Sequence, residues 1–258
     1  MQQKVDTAKK LGVSEEQWQA RLDLAAAHRL AVMHDFHEGV FNHLTLTVPG
    51  TTDRYYQIPF GLHWSEVTAS SFMEVDYNGE VQRGSGYVER SCYAIHAPIH
   101  KNLPQAACVM HTHMPHASAL TRLEDPRIKP IGQTEVGMMR QVAYDTDYTG
   151  PASQATEGER LSKLFGDKTI LFMANHGIAT IGKTVAQAYD RLYYIERAAQ
   201  VQLFAMWTGQ PLKEMSSEVV NRTMKNFGGN TWGEKKPYDY HFEALKRILD
   251  RKEPDYKD

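Results

Sequence analysis

One short segment constrains the fold more than any other: the apolar run that starts at Cys108 and ends in His111-Thr112-His113. Such a run is typical of a buried strand, and because side chains alternate between the two faces of a strand, the two histidines point to the same side. A third histidine, His176, stands between an asparagine and a glycine after the apolar strand 169–173. The pattern predicts three convergent imidazoles that leave open positions on a metal, as catalytic sites require.

His-x-His alone also fits packed or surface histidines, but the Asn-His-Gly turn after a strand favours the metal site. Neutral imidazole is the commonest nitrogen ligand of zinc, and it also serves manganese and iron. We therefore expect one divalent metal ion as cofactor, with zinc first and manganese or iron as alternatives.

The composition bounds the class of protein. A chain of 258 residues fits one large α/β domain, and we predict a single domain over 1–258 with a polar lead-in at 1–13 and an extension at 211–258. The 29 basic and 31 acidic residues are well mixed, which gives no electrostatic case for nucleic acid or an anionic membrane.

Neither a signal peptide nor a membrane span is predicted. The first ten residues are polar, and no apolar stretch approaches the roughly 18 residues of a spanning helix. Both cysteines, Cys92 and Cys108, lie in apolar or strand-like settings, which argues against a disulfide scaffold. We expect a cytoplasmic protein.

The hydrophobic periodicity alternates between strands and helices. A capping box at Ser14–Gln17 predicts a helix that runs up to Gly39, and Gly182-Lys183-Thr184 precedes a long amphipathic helix that ends near Trp207. The stretch 124–156, rich in Gly, Pro, Asp, Thr and Tyr, predicts long ordered loops around short strands. Further strands are predicted within 40–48, 55–58, 72–77 and 178–181, and further helices within 92–100, 116–123 and 157–165.

An ordered series of motifs resembles the class II aldolase/adducin family, which includes metal-dependent fuculose-phosphate and ribulose-phosphate aldolases and epimerases. The resemblance covers about residues 15 to 210 and depends on Gly39–His43, Pro59–Leu62, Val67–Ser70, Val75-Asp76, Ile95-His96, His111–His113 with Pro115, and Asn175–Gly177 with Gly182. It implies a three-layer α/β/α fold with a central, mainly antiparallel sheet flanked by helices. It also implies a homotetramer with sites between subunits, and metal ligands at His111, His113 and His176.

Two departures from the family pattern set this chain apart. The sugar-phosphate aldolases carry a metal-binding, proton-transferring glutamate where this chain has Cys92. A thiolate could bind the metal, but apolar neighbours raise a thiol's pKa and favour an inert cysteine. The family's phosphate-binding hydroxyl groups are also replaced, since Phe60 precedes Gly61 and Arg90-Ser91 stands where a serine pair is expected. A carboxylate or aromatic substrate paired with Arg90 is at least as plausible as a phosphate.

The remaining candidates follow from the resemblance. Asn42 matches the family's substrate-binding amide, or it is a turn residue. Gln133, Glu135 and Tyr148 lie where the family places supporting and proton-transfer groups. Glu135 could replace the lost base, or it is merely solvated. We thus predict Glu135, Tyr148 and Cys92 as catalytic and Asn42, Gly61, Arg90 and Gln133 as substrate-binding.

The predicted function is a metal-dependent lyase, an aldolase or a decarboxylase, that stabilises an enolate of a small, non-phosphorylated hydroxy- or oxo-carboxylate. Decarboxylation is favoured because it needs an electron sink but no base to remove a hydroxyl proton. An Fe(II)-dependent, non-haem oxygenase is the first alternative. A non-catalytic, adducin-like interaction module is the second, and the resemblance implies that such modules lack the three histidines.

Overall fold

The computed structural model of the protein describes residues 11–148, 150, 155–227 and 233–258. These residues contain eight strands and eight α-helices, with 3-10 turns at Trp64–Glu66 and Pro254–Lys257. The strands are β1 (His43–Thr47), β2 (Arg54–Gln57), β3 (Met73–Asp76), β4 (Val81–Arg83), β5 (Cys108–Thr112), β6 (Val142–Tyr144), β7 (Ile170–Phe172) and β8 (Ile178–Gly182). The helices are α1 (Glu15–Met33), α2 (Arg90–Asn102), α3 (Pro115–Leu120), α4 (Gln133–Met139), α5 (Ala155–Phe165), α6 (Val185–Trp207), α7 (Ser217–Phe227) and α8 (Pro237–Lys252).

All eight strands form one sheet in the order β4-β3-β2-β1-β5-β8-β7-β6. Every neighbouring pair is antiparallel except β6 and β7, which are parallel. The histidine strand β5 lies between β1 and β8 and is buried along its whole length. Its register places His111 opposite His43 of β1 and Ala179 of β8.

The sheet separates two hydrophobic cores, and β5 contributes to both by alternation. Met110 packs in the larger core with residues of α1, α3, α6 and α8, whereas Val109 packs in the smaller core with residues of α2 and α5. Because His111 shares the parity of Val109, its ring lies on the α2/α5 face. The predicted three-layer α/β/α architecture with a mainly antiparallel sheet is confirmed.

The ends of the helices follow local signals. Ser14 Oγ accepts from Gln17 N–H at 3.1 Å and Gln17 Oε1 accepts from Ser14 N–H at 3.1 Å, so the predicted capping box begins α1. The helix ends at Met33, well before Gly39, because Asp35 turns into the left-handed region with φ 59°.

Several elements differ from the sequence prediction. The stretch 124–156 contains the helix α4, which is not predicted there, beside the short strand β6, and β4 has no counterpart among the predicted strands. Helix α2 begins at Arg90, two residues before the predicted start, because the Glu89 side chain caps it. Short elements carry too few residues for a periodic pattern to show. Of the predicted polar lead-in, residues 1–10 lie outside the described residues.

The C-terminal extension folds back on helix α1 of the same chain. Ala69 N–H donates to Tyr256 O at 2.9 Å, and Ser70 N–H donates to Asp258 O at 2.9 Å. Arg29 of α1 reaches Glu253 at 3.0 Å and Asp255 at 2.6 Å. Among the described helices, none is both long and apolar enough to cross a membrane.

Candidate metal centre

The structure brings the three predicted metal ligands together. The ring centroids of His111, His113 and His176 lie 4.7 to 5.0 Å apart, and one nitrogen of each ring lies within 4.8 Å of the others. His111 lies in β5 and His113 directly follows it, and the third ring comes from the turn between β7 and β8. The alternation of side chains along the strand thus places His111 and His113 on the same side, as the sequence predicts.

Hydrogen bonds fix which nitrogen of each β5 histidine faces the centre. His111 Nδ1 lies 2.9 Å from the carbonyl oxygen of Ile178, and His113 Nδ1 bonds to the carboxylate of Glu38. A carbonyl and a carboxylate oxygen can only accept a hydrogen bond, so each Nδ1 carries the proton. Each Nε2 is therefore bare, which means that it is unprotonated and its lone pair is available. His113 Nε2 is buried and has no hydrogen-bond partner in the part of the chain that the structure describes. This is the arrangement in which histidine binds a metal.

Burial keeps the triad neutral. Desolvation, reinforced by the neighbouring histidines, lowers the pKa of His111 well below its usual value and that of His176 to about 4. Desolvation also lowers the pKa of His113, although the bond to Glu38 raises it in part. Metals bind the unprotonated imidazole, so the three residues fit a divalent ion at neutral pH without first losing a proton.

The Asn-His-Gly turn places the third ring by close backbone contact. A Cβ atom at Gly177 would lie 2.5 Å from the Thr112 carbonyl oxygen and 2.6 Å from the His113 ring. The preceding Asn175 adopts a left-handed conformation with φ 52°. Arg122 Nη1 donates to the His176 carbonyl oxygen at 2.8 Å and places a positive charge beside the triad. Only glycine lets the turn approach β5 this closely.

A cleft with an empty volume of about 290 Å³ lies on the β1 side of the triad. Its lining includes Asn42, His43, Phe60 and Glu89. Asn42 has φ 72°, and its Oδ1 accepts from His113 N–H at 2.9 Å. Asn42, a predicted substrate ligand, therefore holds the backbone of His113, a predicted metal ligand.

A second cleft, of about 250 Å³, reaches the triad at His176. Tyr148 lies in it with its ring 6.3 Å from that of His176, and the side chain is half exposed. Asp145 and Arg160 also line the cleft and pair at 2.6 Å. Tyr148 is therefore the predicted catalytic residue that the fold brings nearest to the histidines in this cleft.

The remaining predicted residues lie in a turn and in helices of the described chain. Arg90 is exposed at the first position of α2, and Gly61 occupies the turn after Phe60 with φ +94°. Gln133 is exposed at the start of α4. Glu135 is buried in α4, which packs on α6 and α7, and no contact among the described residues links its carboxylate to the histidines. Their roles remain predictions.

Cys92 is fully buried, and it lies in a second group with His43 and His96. Burial raises the pKa of its thiol well above the usual value, and the charge of Glu89 raises it further. In the absence of a bound cation the cysteine is thus a neutral thiol, as its apolar neighbours predict.

Sequence reasoning missed two carboxylates beside the site, Glu38 and Glu89. Partial burial raises the pKa of Glu89, but hydrogen bonds from His43 and Ser91 outweigh it and bring the pKa to about 2. The Glu89 carboxylate accepts from His43 Nε2 at 2.9 Å, Ser91 Oγ at 2.6 Å and Cys92 N–H at 2.6 Å. Its position three residues before Cys92, at a helix N-cap, was the available signal.

Comparisons with a family model and with individual proteins point to the same family. The model described as "Class II Aldolase and Adducin N-terminal domain" matches residues 22–203. A Caulobacter vibrioides protein provisionally named as a class 2 aldolase is 31% identical over 255 residues, which is 95% of each chain. An adducin-related protein of Schizosaccharomyces pombe is 30% identical over 95% of this chain and 78% of its own length.

Two solved structures share the fold. An aldolase II superfamily protein from Pseudomonas syringae superposes with a TM-score of 0.89 at 31% identity, over 95% of this chain and 98% of its own. An L-fuculose 1-phosphate aldolase from Glaciozyma antarctica superposes with a TM-score of 0.80 at 23% identity, over 94% and 93% of the two chains.

Proposed function

Because the chain belongs to the class II aldolase and adducin family, we propose that it is a metal-dependent carbon–carbon lyase. The motif resemblance in the sequence is thereby confirmed at the level of the family. The observation that carries the proposal is the convergence of three neutral imidazoles, each β5 ring presenting a bare Nε2. When bound, a divalent ion, zinc before manganese or iron, would supply a Lewis acid for the carbonyl and hydroxyl oxygens of a substrate.

The charges around the triad favour a small hydroxy- or oxo-carboxylate substrate over a phosphorylated one. Arg122 places a guanidinium beside His176, and guanidinium suits the paired oxygens of a carboxylate. On the other side, Ser91 is already bonded to the ionised Glu89, and Phe60 is 40% exposed at the cleft. A phosphate there would meet a carboxylate and an aromatic ring.

The proton-transfer groups favour decarboxylation over reversible aldol cleavage. Cys92 is a neutral, buried thiol where the aldolases are expected to carry a glutamate, so it cannot act as a base. Decarboxylation needs no base on a substrate hydroxyl, only a proton delivered to the carbon that loses carbon dioxide. We assign that delivery to Tyr148, whose ring faces His176 in the second cleft.

The family also covers adducin, so a purely structural role is the competing proposal. The three histidines and their oriented hydrogen bonds favour an enzyme, because a scaffold has no need of three imidazole nitrogens within 4.8 Å of one another, one of which, His113 Nε2, is buried without a partner among the described residues. Assembly of copies fits the exposed apolar residues at the end of α6, which include Phe204 and Trp207. We propose a homo-oligomer, with the tetramer as first expectation.

The test combines metal analysis with an anaerobic assay on the purified protein. We expect about one metal ion per chain at the triad, and release of carbon dioxide from a panel of 2-oxo- and hydroxy-acids. His113→Ala should lose both that ion and turnover. Tyr148→Phe should keep the ion and lose turnover by about 10²- to 10⁴-fold, since general acid catalysis contributes that much.

His116→Ala is the matched control, because His116 lies near the same end of β5 but bonds to Glu196 at 2.7 Å. It should keep the metal and the activity. Full turnover by metal-free protein would refute the lyase proposal. Turnover that stops without oxygen and consumes oxygen with Fe(II) would establish the oxygenase alternative instead.

A further inference from the structure

A second cluster of ligand-type side chains adjoins the triad. It contains His43 from β1 and Cys92 and His96 from α2, and one donor atom of each lies within 4.8 Å of the others. Strand pairing places His43 opposite His111, and their rings stack with centroids 5.9 Å apart. Cys92 and His96 are completely buried. The lyase proposal makes no use of this cluster as a binding site.

A chain of hydrogen bonds fixes the proton on His96. The Ala106 carbonyl oxygen can only accept, so His100 donates to it from Nδ1 at 2.7 Å. Burial lowers the pKa of His100 to about 4, so the ring is neutral and its Nε2 accepts. Thr45 Oγ1 therefore donates to that nitrogen at 2.8 Å and accepts from His96 Nδ1 at 2.7 Å. His96 Nε2 is left as a bare lone pair.

A hydrogen bond also fixes which nitrogen of His43 carries the proton. Its Nε2 lies 2.9 Å from Glu89 Oε2, and an ionised carboxylate can only accept, so the proton is on Nε2 and Nδ1 is bare. His43 Nδ1 and His96 Nε2 are both buried and have no hydrogen-bond partner among the described residues. Two unsatisfied acceptors beside a thiol carry a desolvation cost that a cation would remove.

We propose that His43, Cys92 and His96 form a second metal site for a thiophilic divalent cation of the zinc class. One sulfur and two nitrogens are the donors that zinc prefers, whereas magnesium, calcium and manganese prefer oxygen. On binding, the sulfur–metal bond replaces the Cys92 sulfur–hydrogen bond, the proton leaves to solvent, and no atom changes oxidation state. Glu89 and Thr45 orient the two rings as outer hydrogen-bond partners.

The site has a direct consequence for the triad. A cation held by His43 and α2 ties β1 to the helix that covers it, and so fixes the ring that stacks on His111. The negative charge of the thiolate offsets part of the repulsion between two neighbouring cations. The role is therefore to position the wall of the catalytic cleft, and it does not depend on which reaction the triad performs.

Titration of the metal-free, full-length protein with Co²⁺ tests the proposal, because thiolate-bound cobalt shows a charge-transfer absorption in the near ultraviolet. We expect two bound equivalents per chain, one of which produces that absorption. Cys92→Ser should lose the absorption and one equivalent. Cys108→Ser is the matched control, since Cys108 is the other buried free cysteine, and it should keep both.

His113→Ala separates the two sites: it should lose one equivalent and keep the thiolate absorption. A single equivalent whose absorption disappears in His113→Ala would place Cys92 on the triad metal and overturn the proposal. If Cys92→Ser does not fold, the wild-type and Cys108→Ser titrations decide, because absence of the absorption at saturation is equally fatal to the second site.

Discussion

At Gly177 the chain has no room for a side chain, and the position of His176 depends on that fact. A Cβ atom would lie 2.5 Å from the Thr112 carbonyl oxygen. Gly177→Ala must therefore push the turn away from β5 and move His176 out of the triad. We expect a loss of about 1–3 kcal/mol in the free energy of unfolding, as for other overpacked sites, together with loss of the triad metal.

Urea denaturation and metal analysis of the purified variant measure the two effects. Gly209→Ala is the control, because Gly209 has a positive φ of +69° and a Cβ atom there would meet no described atom within 4 Å. It should show only the modest conformational cost of a left-handed alanine. A Gly177→Ala variant with normal metal content would contradict the packing argument.

Glu38 controls the triad through a single hydrogen bond to His113 Nδ1. Glu38→Ala removes the acceptor that fixes the tautomer, so we expect metal affinity at the triad to fall by about 10- to 100-fold. Glu38→Gln keeps a neutral acceptor oxygen and should lose less. Competition with a chelator of known affinity gives the values, and equal affinities in all three proteins would exclude the orienting role.

In helix α1, His28 makes the stability of the metal-free protein depend on pH. The ring is fully buried against Trp64, and desolvation lowers its pKa from 6.5 to about 4. Between these values the unfolded chain holds a proton that the folded chain does not, so unfolding is favoured as the pH falls. Above pH 6.5, His28 does not make the free energy of unfolding depend on pH. Between pH 6.5 and about pH 4, His28 progressively lowers the free energy of unfolding as the pH falls.

A shift of this size corresponds to at most about 3 kcal/mol for one group. His28→Gln keeps a donor for the Leu24 carbonyl oxygen, which His28 Nδ1 contacts at 2.8 Å, but does not titrate. We expect the difference in unfolding free energy between pH 7 and pH 4.5 to be smaller in His28→Gln than in the wild type. The change with pH, rather than the absolute stability, is the diagnostic quantity, and an unchanged difference would rule out His28 as its source.

On the scale of the whole molecule, the segment after α8 closes the structure over α1. It carries the buried Tyr256 and the two carboxylates that pair with Arg29, itself 5% exposed. Deletion of residues 253–258 leaves Arg29 with a buried charge and uncovers the loop at 67–70. We expect a loss on the order of 3–5 kcal/mol in the free energy of unfolding, as for other large aromatic side chains removed from a core, because Tyr256 is 2% exposed.

Urea denaturation followed by circular dichroism measures this loss. Asp255→Asn is the graded control, because Asp255 is 57% exposed and its pairing with Arg29 should contribute only about 1 kcal/mol or less. A truncated protein as stable as the wild type would show that residues 253–258 do not stabilise the fold.

The histidine triad could be predicted from the sequence because its determinants are local. A period of two in β5 and an Asn-His-Gly turn after β7 each place a side chain without knowledge of the rest of the chain. The direction of His43 could not be predicted in this way, since it depends on the pairing of β1 with β5 across more than sixty residues. The hydrogen bond from His113 to Glu38 is equally non-local and crosses between loops.

The fold class was likewise predictable, whereas the short elements were not. Helices α1 and α6 have capping residues and many turns of periodic sequence, so tertiary packing reinforces what the local sequence already favours. Helix α4 has seven residues and strand β4 has three, all of the latter exposed. Elements of that length are decided by their neighbours, which a linear pattern does not contain.

The pairing of Arg29 with Glu253 and Asp255 also forms late during synthesis. Arg29 is translated early, but its partners Glu253 and Asp255 follow 224 and 226 residues later. Since a chain leaves the ribosome from its N-terminus onward, α1 stays without its ionic partners until residues 253–255 have emerged. A nascent chain arrested before that stretch therefore carries on α1 a guanidinium that lacks both of its carboxylate partners, and this distinguishes it from a chain in which residues 253–255 have emerged.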